Sequence, residues 1–264
     1  MKQLLTAILM AITLSSAAMN DTLLIAHLCD PQIGFGPKGI DDDLAALRAE
    51  IENVNALDVD LVVIAGDMVN RMDSTSIALF HDAAARIEAP LVLTPGNHDI
   101  AEPCTPAGLE KYRKNFGPDF SVNKIKGRTL ISFNSLLLRG GPEEEVRDMN
   151  ARLDSALIAA KAEGSPVILL CHVPPFEKDI DENDEYFNLP TSIRRPLIEK
   201  FRNYGATIWL AGHTHKTHRN EYGGVTILNG ENTSCNFDGR PRGFRLLSIS
   251  PDGSFSWDFI PNEK

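Results

Sequence analysis

The segment LVLTPGNHD, residues 91–99, joins a short apolar run to a cluster of polar side chains. The run is too short for a buried helix and is rich in aliphatic residues, which is typical of a strand buried on both faces. Four other runs have a similar composition and a length of four to six residues, and each also ends in a polar cluster. They are residues 23–28, 61–65, 167–171 and 208–211. The sequence therefore predicts five buried strands.

Segments with helical periodicity separate these predicted strands. In the first, Leu44, Leu47, Ile51 and Val54 recur at a spacing of three or four residues, as on one face of a helix. Three further segments have the same spacing: Ile77, Phe80, Ala84 and Ile87; Val146, Met149, Leu153 and Leu157; and Ile193, Leu197, Phe201 and Tyr204. The alternation of strand and helix predicts a layered α/β fold.

Three segments depart from this alternation and predict antiparallel hairpins. Residues 120–135 contain a turn signal at Lys126-Gly127, and the C-terminal part of the chain contains Gly223-Gly224 and Asp252-Gly253. Glycine supplies the positive φ angle that tight hairpin turns require. We expect these segments to add strands to the edges of the α/β core.

Each predicted strand is followed by side chains that can bind metal ions. Asp30-Pro31-Gln32, Gly66-Asp67, Gly96-Asn97-His98-Asp99, His172 and Gly212-His213-Thr214-His215 follow the five strands in chain order. Open α/β sheets place their ligands at the carboxyl ends of the strands. A mixed set of carboxylate, amide and imidazole donors suits Mn, Fe, Zn or Ni better than calcium. The set exceeds what one tetrahedral ion needs, so we expect two divalent transition-metal ions.

In this order the motifs resemble the signature of the calcineurin-like metallophosphoesterases. They span residues 30–215, about seven-tenths of the chain, and the segments GNHD and GHTH are the most specific parts. The resemblance implies a four-layer α/β/β/α sandwich with mixed sheets, in which a dinuclear metal site lies at the strand ends.

The resemblance also assigns the metal ligands. Asp67 is implied to be the carboxylate that bridges both ions. The remaining ligands are Asp30 and His215 for the first ion and Asn97, His172 and His213 for the second.

Gln32 stands where most members of the family have a histidine ligand of the first ion. An amide oxygen binds a transition ion less well than imidazole does, so we expect Gln32 to give a weaker first site or one that prefers harder metals. The pattern Asp-x-Gln is similar to the branch that contains the calcineurin-like phosphoesterase domain-containing phosphatase.

Three residues are candidates for contact with a substrate phosphate. The resemblance implies that His98 protonates the leaving oxygen or steadies the phosphate, and that Asn97 lies beside it. Arg71 ends the segment GDMVNR, residues 66–71, which resembles the GDxxDR element of protein Ser/Thr phosphatases. Arg71 would grip the phosphoryl oxygens, although an exposed surface arginine is the alternative. Asn70 would orient His98 through a hydrogen bond.

We therefore expect a metal-dependent hydrolase of phosphate monoesters, in which a hydroxide bridging two ions attacks phosphorus. The substrate would be a phosphorylated small molecule or a phosphoprotein. One alternative is a phosphodiesterase that cleaves cyclic or simple diesters at the same centre. A second alternative is a metal-binding protein that has lost its activity, since Gln32 weakens the first site.

The amino terminus predicts export. Lys2 precedes an apolar run over residues 4–14, and small residues follow at positions 15–18. The run is too short to span a bilayer and fits a cleaved signal peptide. We expect a signal peptide over residues 1–18, one metallophosphoesterase domain over residues 19–264, a periplasmic or secreted location, and no membrane contact after cleavage.

The composition excludes several classes of protein. The 264 residues include 26 basic and 36 acidic side chains, giving a net charge of -10. Nucleic-acid binders need a basic face, so we expect no nucleic-acid partner. Phosphate substrates are still compatible with this charge, because two divalent ions would add +4 at one place. The four cysteines are too few and too widely spaced for a disulfide framework, although one bridge is left open.

Overall fold

The structure, a computed structural model, describes residues 21–262. The predicted signal peptide therefore lies outside the described residues. The strands of the described part are β1 (Leu23–Leu28), β2 (Leu61–Ile64), β3 (Leu91–Leu93), β4 (Ser121–Ile125), β5 (Arg128–Ser132), β6 (Val167–Leu170), β7 (Ala206–Ala211), β8 (His218–Tyr222), β9 (Val225–Asn229), β10 (Gly243–Ile249) and β11 (Phe255–Pro261). The helices are α1 (Ile40–Ala56), α2 (Ser74–Ala84), α3 (Asn97–Ile100), α4 (Pro106–Phe116), α5 (Glu143–Ala162) and α6 (Thr191–Asn203), with a 3-10 helix over Ser135–Arg139.

The strands form two mixed sheets. One has the order β11-β10-β1-β2-β3 and the other the order β4-β5-β6-β7-β9-β8. In the first sheet β1, β2 and β3 are parallel, and in the second β5, β6, β7 and β9 are parallel. Antiparallel strands β10 and β11 complete one side of the first sheet, and antiparallel strands β4 and β8 form the two edges of the second. The five strands predicted from the sequence are β1, β2, β3, β6 and β7, and the structure confirms all of them.

The predicted hairpins are also confirmed. They join β4 to β5, β8 to β9 and β10 to β11. At the first turn Lys126 has φ 43° and Gly127 has φ 73°. Two successive positive φ angles match the right-handed twist of the flanking strands, which explains why a glycine is needed there.

The two sheets pack face to face, and helices cover their outer faces. Alternate residues of each strand point inward, because successive side chains of a strand point to opposite faces. The core between the sheets includes Leu23, Ile25, Val63, Ile168, Leu170, Ile208 and Leu210, all at most 2% exposed. Residues of the opposite faces pack against the helices. The predicted α/β/β/α order of layers is therefore correct.

Helix α4 was not among the segments predicted from the sequence. Thr105 caps its amino terminus by accepting a hydrogen bond from the Gly108 N–H, and Pro106 occupies the first turn. Leu109, Tyr112 and Phe116 form its buried face. The Thr105-Pro106 pair and the spacing of these three apolar residues are the sequence features that indicate this helix. Helices α2 and α6 end before Ile87 and Tyr204, so the predicted periodic segments extend slightly beyond them.

In the described part of the chain, no helix combines the length and apolar character needed to cross a membrane. All four cysteines are free thiols, so the bridge that the sequence left open is not formed in this structure.

Glu50 on α1 gives a testable pH dependence of stability. Its side chain is fully buried, and it accepts a 2.6 Å hydrogen bond from the Thr233 hydroxyl. Burial raises the pKa of Glu50 to about 8. The folded protein therefore binds a proton that the unfolded chain releases near pH 4, and the free energy of unfolding falls as pH rises through about 8.

We expect Glu50→Gln to reduce this loss of stability between pH 6 and pH 9 by about 2 kcal/mol or more, because glutamine stays neutral. Urea unfolding at both pH values measures the effect. Glu52→Gln is the matched control, since Glu52 is exposed on the same helix. If the free energy of unfolding changed equally with pH in wild type and Glu50→Gln, then Glu50 would not be protonated in the folded protein.

Candidate metal centre

The predicted ligands lie at one edge of the molecule because parallel strands of both sheets end there. Asp30, Asp67 and Asn97 follow β1, β2 and β3 of the first sheet, and His172 follows β6 of the second. The segment 212–215 follows β7 of the second sheet. The carboxyl ends of the two sheets thus supply oxygen donors from one side and imidazoles from the other.

One group of donors matches the predicted second ion site. Asp67, His172 and His213 each offer one ligand atom, and these atoms lie within 4.8 Å of one another. The Nε2 atom of His172 is 3.5 Å from Oδ2 of Asp67 and 3.0 Å from Oδ1 of Asn97. The structure therefore brings together all four side chains that were assigned to this site.

The contact between Asn97 and His172 places two possible ligand atoms of one cation next to each other. Nδ1 of His172 is 2.7 Å from the Ala65 carbonyl oxygen, so it carries the ring proton and donates it there. The Asn97 amide nitrogen donates to the Tyr186 hydroxyl at 3.0 Å. The facing atoms, Nε2 and Oδ1, are then both acceptors. In this amide orientation the two acceptors, 3.0 Å apart, can share one cation, and in the turned-over orientation the amide nitrogen donates to Nε2.

Asp30, His215 and Gln32 are the donors predicted for the first ion. The Oδ1 atom of Asp30 is 3.6 Å from Nε2 of His215 and 3.9 Å from Nδ1 of His172. Nδ1 of His215 is 2.7 Å from the Cys235 carbonyl oxygen, which leaves Nε2 free as a ligand. Gln32 is 1% exposed, and its Oε1 atom has no hydrogen-bond partner among the described residues. A buried acceptor without a partner fits a role as a metal ligand.

The charges of the buried groups favour bound cations. Burial lowers the pKa of His172 to about 3 and lowers the pKa of His213 and His215, so these imidazoles are neutral ligands at neutral pH. Burial, followed by repulsion from Asp67, raises the pKa of Asp30 well above its usual range, and burial also raises the pKa of Asp67. Two buried carboxylates beside neutral imidazoles need positive charge to ionise.

The backbone at the site is strained. Among the described residues, eight non-glycine residues have positive φ angles, and five of them are predicted metal ligands: Asp30, Gln32, Asp67, His213 and His215. Such conformations cost about 1–3 kcal/mol each and are concentrated at functional sites. The strained backbone therefore lowers the stability of the fold and orients these five side chains toward one site.

The motif glycines are required because ligand atoms occupy the space of a side chain. A Cβ atom at Gly96 would lie 2.0 Å from Oδ1 of Asp67, and one at Gly212 would lie 2.6 Å from Oδ2 of Asp30. Any larger residue would displace a ligand. This explains the glycine in both GNHD and GHTH.

His98 lies beside the ligands and does not join them. Its main-chain N–H donates to Oδ1 of Asp67 at 2.9 Å, and its Nδ1 is 3.0 Å from the carbonyl oxygen of Asn70. The ring is thus oriented by the Asn70 backbone, whereas we expected the side chain. The Asn70 amide instead donates to the Gly34 carbonyl at 2.9 Å, which ties two site loops together. Nε2 of His98 is left available for a substrate.

Asp99 has a structural role at the site. Its buried carboxylate accepts hydrogen bonds from the N–H groups of Gly96 at 2.9 Å and Met68 at 3.0 Å. It thereby fixes the loop that carries Asn97 to the loop that carries Asp67.

Arg71 lies on the exposed loop after β2. Within residues 21–262 its guanidinium makes no hydrogen bond or ion pair to another side chain. Phosphate binding by Arg71 therefore stays a prediction.

Tyr186 and Arg139 contribute to the site although the sequence did not predict them. The Tyr186 carbonyl oxygen is 2.9 Å from Nε2 of His213, which fixes that ring. Arg139 donates to the same carbonyl at 2.7 Å, forms a 3.0 Å ion pair with Glu102, and its charge helps to lower the pKa of His172 and His213. Only the position of Arg139 in the chain could have indicated its role, because Arg139 follows β5, another strand whose carboxyl end lies at this edge.

Comparisons with known proteins agree with this site. Residues 23–217 match the family model described as calcineurin-like phosphoesterase. A Danio rerio protein named serine/threonine-protein phosphatase CPPED1 is 25% identical over 84% of this chain and 79% of its own length. Its Homo sapiens counterpart is 28% identical over 62% of this chain, which spans about half (53%) of that protein.

A solved structure described as a dimetal phosphatase from Danio rerio has the same fold. It superposes with a TM-score of 0.65 at 11% identity, covering 91% of this chain and 99% of that one. Because the family match covers most of the described residues and the motifs form one site, the chain belongs to the calcineurin-like phosphoesterase family and is a metallophosphoesterase.

Proposed function

We propose that this protein is an exported phosphomonoesterase that works with two divalent metal ions. The observation that carries the proposal is the convergence of two buried carboxylates, Asp30 and Asp67, with three neutral imidazoles at the joint edge of the two sheets. Bound cations would supply an acidified water molecule and would offset charge on the phosphoryl oxygens.

The ligand set supports two ions rather than one. The Asp67 carboxylate interacts with both groups. It faces His172 at 3.5 Å, and its charge opposes the lowering of the pKa of His215, whose ring faces Asp30. Asn97 and His213 complete the group that contains His172, and Gln32 would complete the group that contains Asp30 and His215. A substrate phosphate would approach from the open side, where Asn97 and His98 are only partly buried.

His98 would act on the leaving group. The Asn70 carbonyl accepts from Nδ1, which orients the ring and directs Nε2 toward a bound ester. A protonated imidazole there can donate to the leaving oxygen as the bond to phosphorus breaks. Proton donation of this kind matters most for esters with poor leaving groups.

The substrate class follows from the relatives and the site. Similar proteins are named serine/threonine phosphatases, which supports a phosphorylated protein or small molecule as substrate. Export is supported by Lys2 and the apolar run over residues 4–14. Amino-terminal sequencing of protein recovered outside the cytoplasm tests export, and a mature terminus near Met19 is the expected result.

Hydrolysis rates test the phosphomonoesterase proposal. Metal-depleted protein supplied with Mn²⁺ is expected to hydrolyse p-nitrophenyl phosphate at least about tenfold faster than bis-p-nitrophenyl phosphate and to be inactive without added metal. A preference for the diester would make the protein a phosphodiesterase. If metal-loaded protein hydrolysed neither ester, both the phosphomonoesterase and the phosphodiesterase hypotheses would be contradicted.

A further inference from the structure

Two aromatic rings, Phe35 and Phe237, lie against the metal centre on the side of the first ion. The Phe237 ring stacks on the His215 ring with centroids 4.5 Å apart and planes 12° apart. Phe35 lies 5.1 Å from the His215 ring and 6.2 Å from Phe237. We call these two residues the aromatic pair.

One member of the aromatic pair also lies beside His98. The Phe35 ring centroid is 6.1 Å from that of His98, the proposed proton donor. Phe35 therefore contacts both His98 and His215. An ester oxygen that accepts a proton from His98 would hold its substituent near Phe35 and Phe237.

Both rings are carried by backbone that is fixed before any substrate binds. The carboxylate of Asp43 accepts hydrogen bonds from the N–H groups of Gly34 at 2.9 Å and Gly36 at 3.0 Å, on either side of Phe35. The Phe237 N–H donates to the His215 carbonyl at 2.7 Å. Rigid rings lose little entropy on binding, so they suit a recognition surface.

Phe237 is exposed in a way that packing does not explain. It is 50% exposed, and the large exposed hydrophobic residues of the described chain are only Val122, Ile158, Tyr186 and Phe237. The two aromatic ones among them both contact metal-centre histidines. Val122 and Ile158 lie elsewhere, on β4 and α5. An exposed aromatic ring at a binding site favours contact with an apolar part of a ligand.

We propose that the aromatic pair binds a planar aromatic leaving group, so that aryl phosphates, with the ring attached to the ester oxygen, are the preferred class of substrate. This inference rests on the proposed phosphomonoesterase function. A ring stacked on Phe237 would fix the ester oxygen beside His98 and would exclude water from it. Alkyl esters would lack this contact.

The test compares 2-naphthyl phosphate with phenyl phosphate, since the two leaving groups are similar in acidity and differ in ring area. Wild-type protein is expected to prefer the naphthyl ester in kcat/KM by about three- to tenfold. Phe237→Leu is expected to remove this preference, and Phe237→Tyr to retain it. Phe255→Leu is the matched control, because Phe255 stacks on Trp257 away from the site.

Binding gives a second readout that does not depend on turnover. Calorimetry with 2-naphthylphosphonate and methylphosphonate is expected to show about three- to tenfold tighter binding of the naphthyl compound to wild type and equal binding to Phe237→Leu. Elemental analysis of both proteins shows whether the substitution changes the metal content.

Each outcome is decisive. Loss of the naphthyl preference with unchanged metal content supports the aromatic subsite. Equal rates for both esters in wild type overturn it while leaving the phosphomonoesterase function intact. Loss of metal from Phe237→Leu, with equal loss of activity on both esters, also overturns it, because the ring then only positions His215. Absence of hydrolysis of either ester by metal-loaded wild type is instead a failure of the proposed function.

Discussion

Asp67→Asn is expected to lower kcat/KM for an aryl phosphate by about 10³-fold, because the proposed bridging carboxylate loses its charge. One oxygen of Asp67 faces His172 at 3.5 Å, and the other accepts the His98 N–H at 2.9 Å. Asparagine keeps the shape and can retain one of these contacts. We therefore expect the metal content to fall to one ion per chain or less while the fold is retained. Steady-state kinetics and elemental analysis measure the two effects.

Asp58→Asn is a closely matched control for this substitution. Asp58 has φ 49° and Asp67 has φ 51°, so asparagine enters the same left-handed backbone region at both positions. Asp58 is exposed, and the control should leave activity and metal content unchanged. If Asp67→Asn retained two ions and near wild-type activity, the bridging role of Asp67 would be wrong.

His98→Ala is expected to lower kcat by about 10²- to 10⁴-fold without loss of metal, because His98 acts on the substrate and is not a ligand. The Asp67 hydrogen bond comes from the His98 backbone and survives the substitution. The loss should be larger for phenyl phosphate than for p-nitrophenyl phosphate, whose leaving group needs less protonation. Kinetics on both esters measure this difference.

His81→Ala controls for the removal of an imidazole, since His81 is exposed on α2. Its activity should equal that of wild type. An equal loss on both esters by His98→Ala, together with loss of metal, would mean that His98 supports the site and does not donate a proton.

The strand ends could be predicted from the sequence because two local signals coincide there. A run such as residues 61–65 is apolar throughout, which favours burial on both faces, and the next residues, Gly66-Asp67, are of types that strands disfavour. Parallel packing then brings such ends together. The glycines of GNHD and GHTH also mark the site, since Asp67 and Asp30 occupy the space beside them.

Other parts of the site depend on tertiary contacts that leave no local pattern. The main-chain carbonyl of Asn70 orients His98, and any residue at position 70 would offer that carbonyl. Tyr186 reaches His213 from a long loop whose path the sequence does not specify. Phe35 and Phe237 are about 200 residues apart and meet only because both loops end at the same sheet edge. Side-chain patterns reveal strands and ligands better than they reveal loop positions.

The structure changes the interpretation of Gln32, which stands where most members of the family have a histidine ligand. From the sequence alone, an amide in place of histidine kept open a protein with lost activity. In the structure Gln32 has a positive φ of 38°, and its side-chain oxygen is buried without a partner. The backbone strain and the free acceptor support our proposal that the amide takes the place of the imidazole as an oxygen donor.

Anomalous diffraction from crystals grown with Mn²⁺ tests the central claim most directly. For a dinuclear centre we expect two anomalous peaks, one on each side of the Asp67 carboxylate, with the peak nearer Asp30 within about 2.4 Å of Oε1 of Gln32. A single peak beside His172 and His213, or no peak at the joint edge of the sheets, would contradict it.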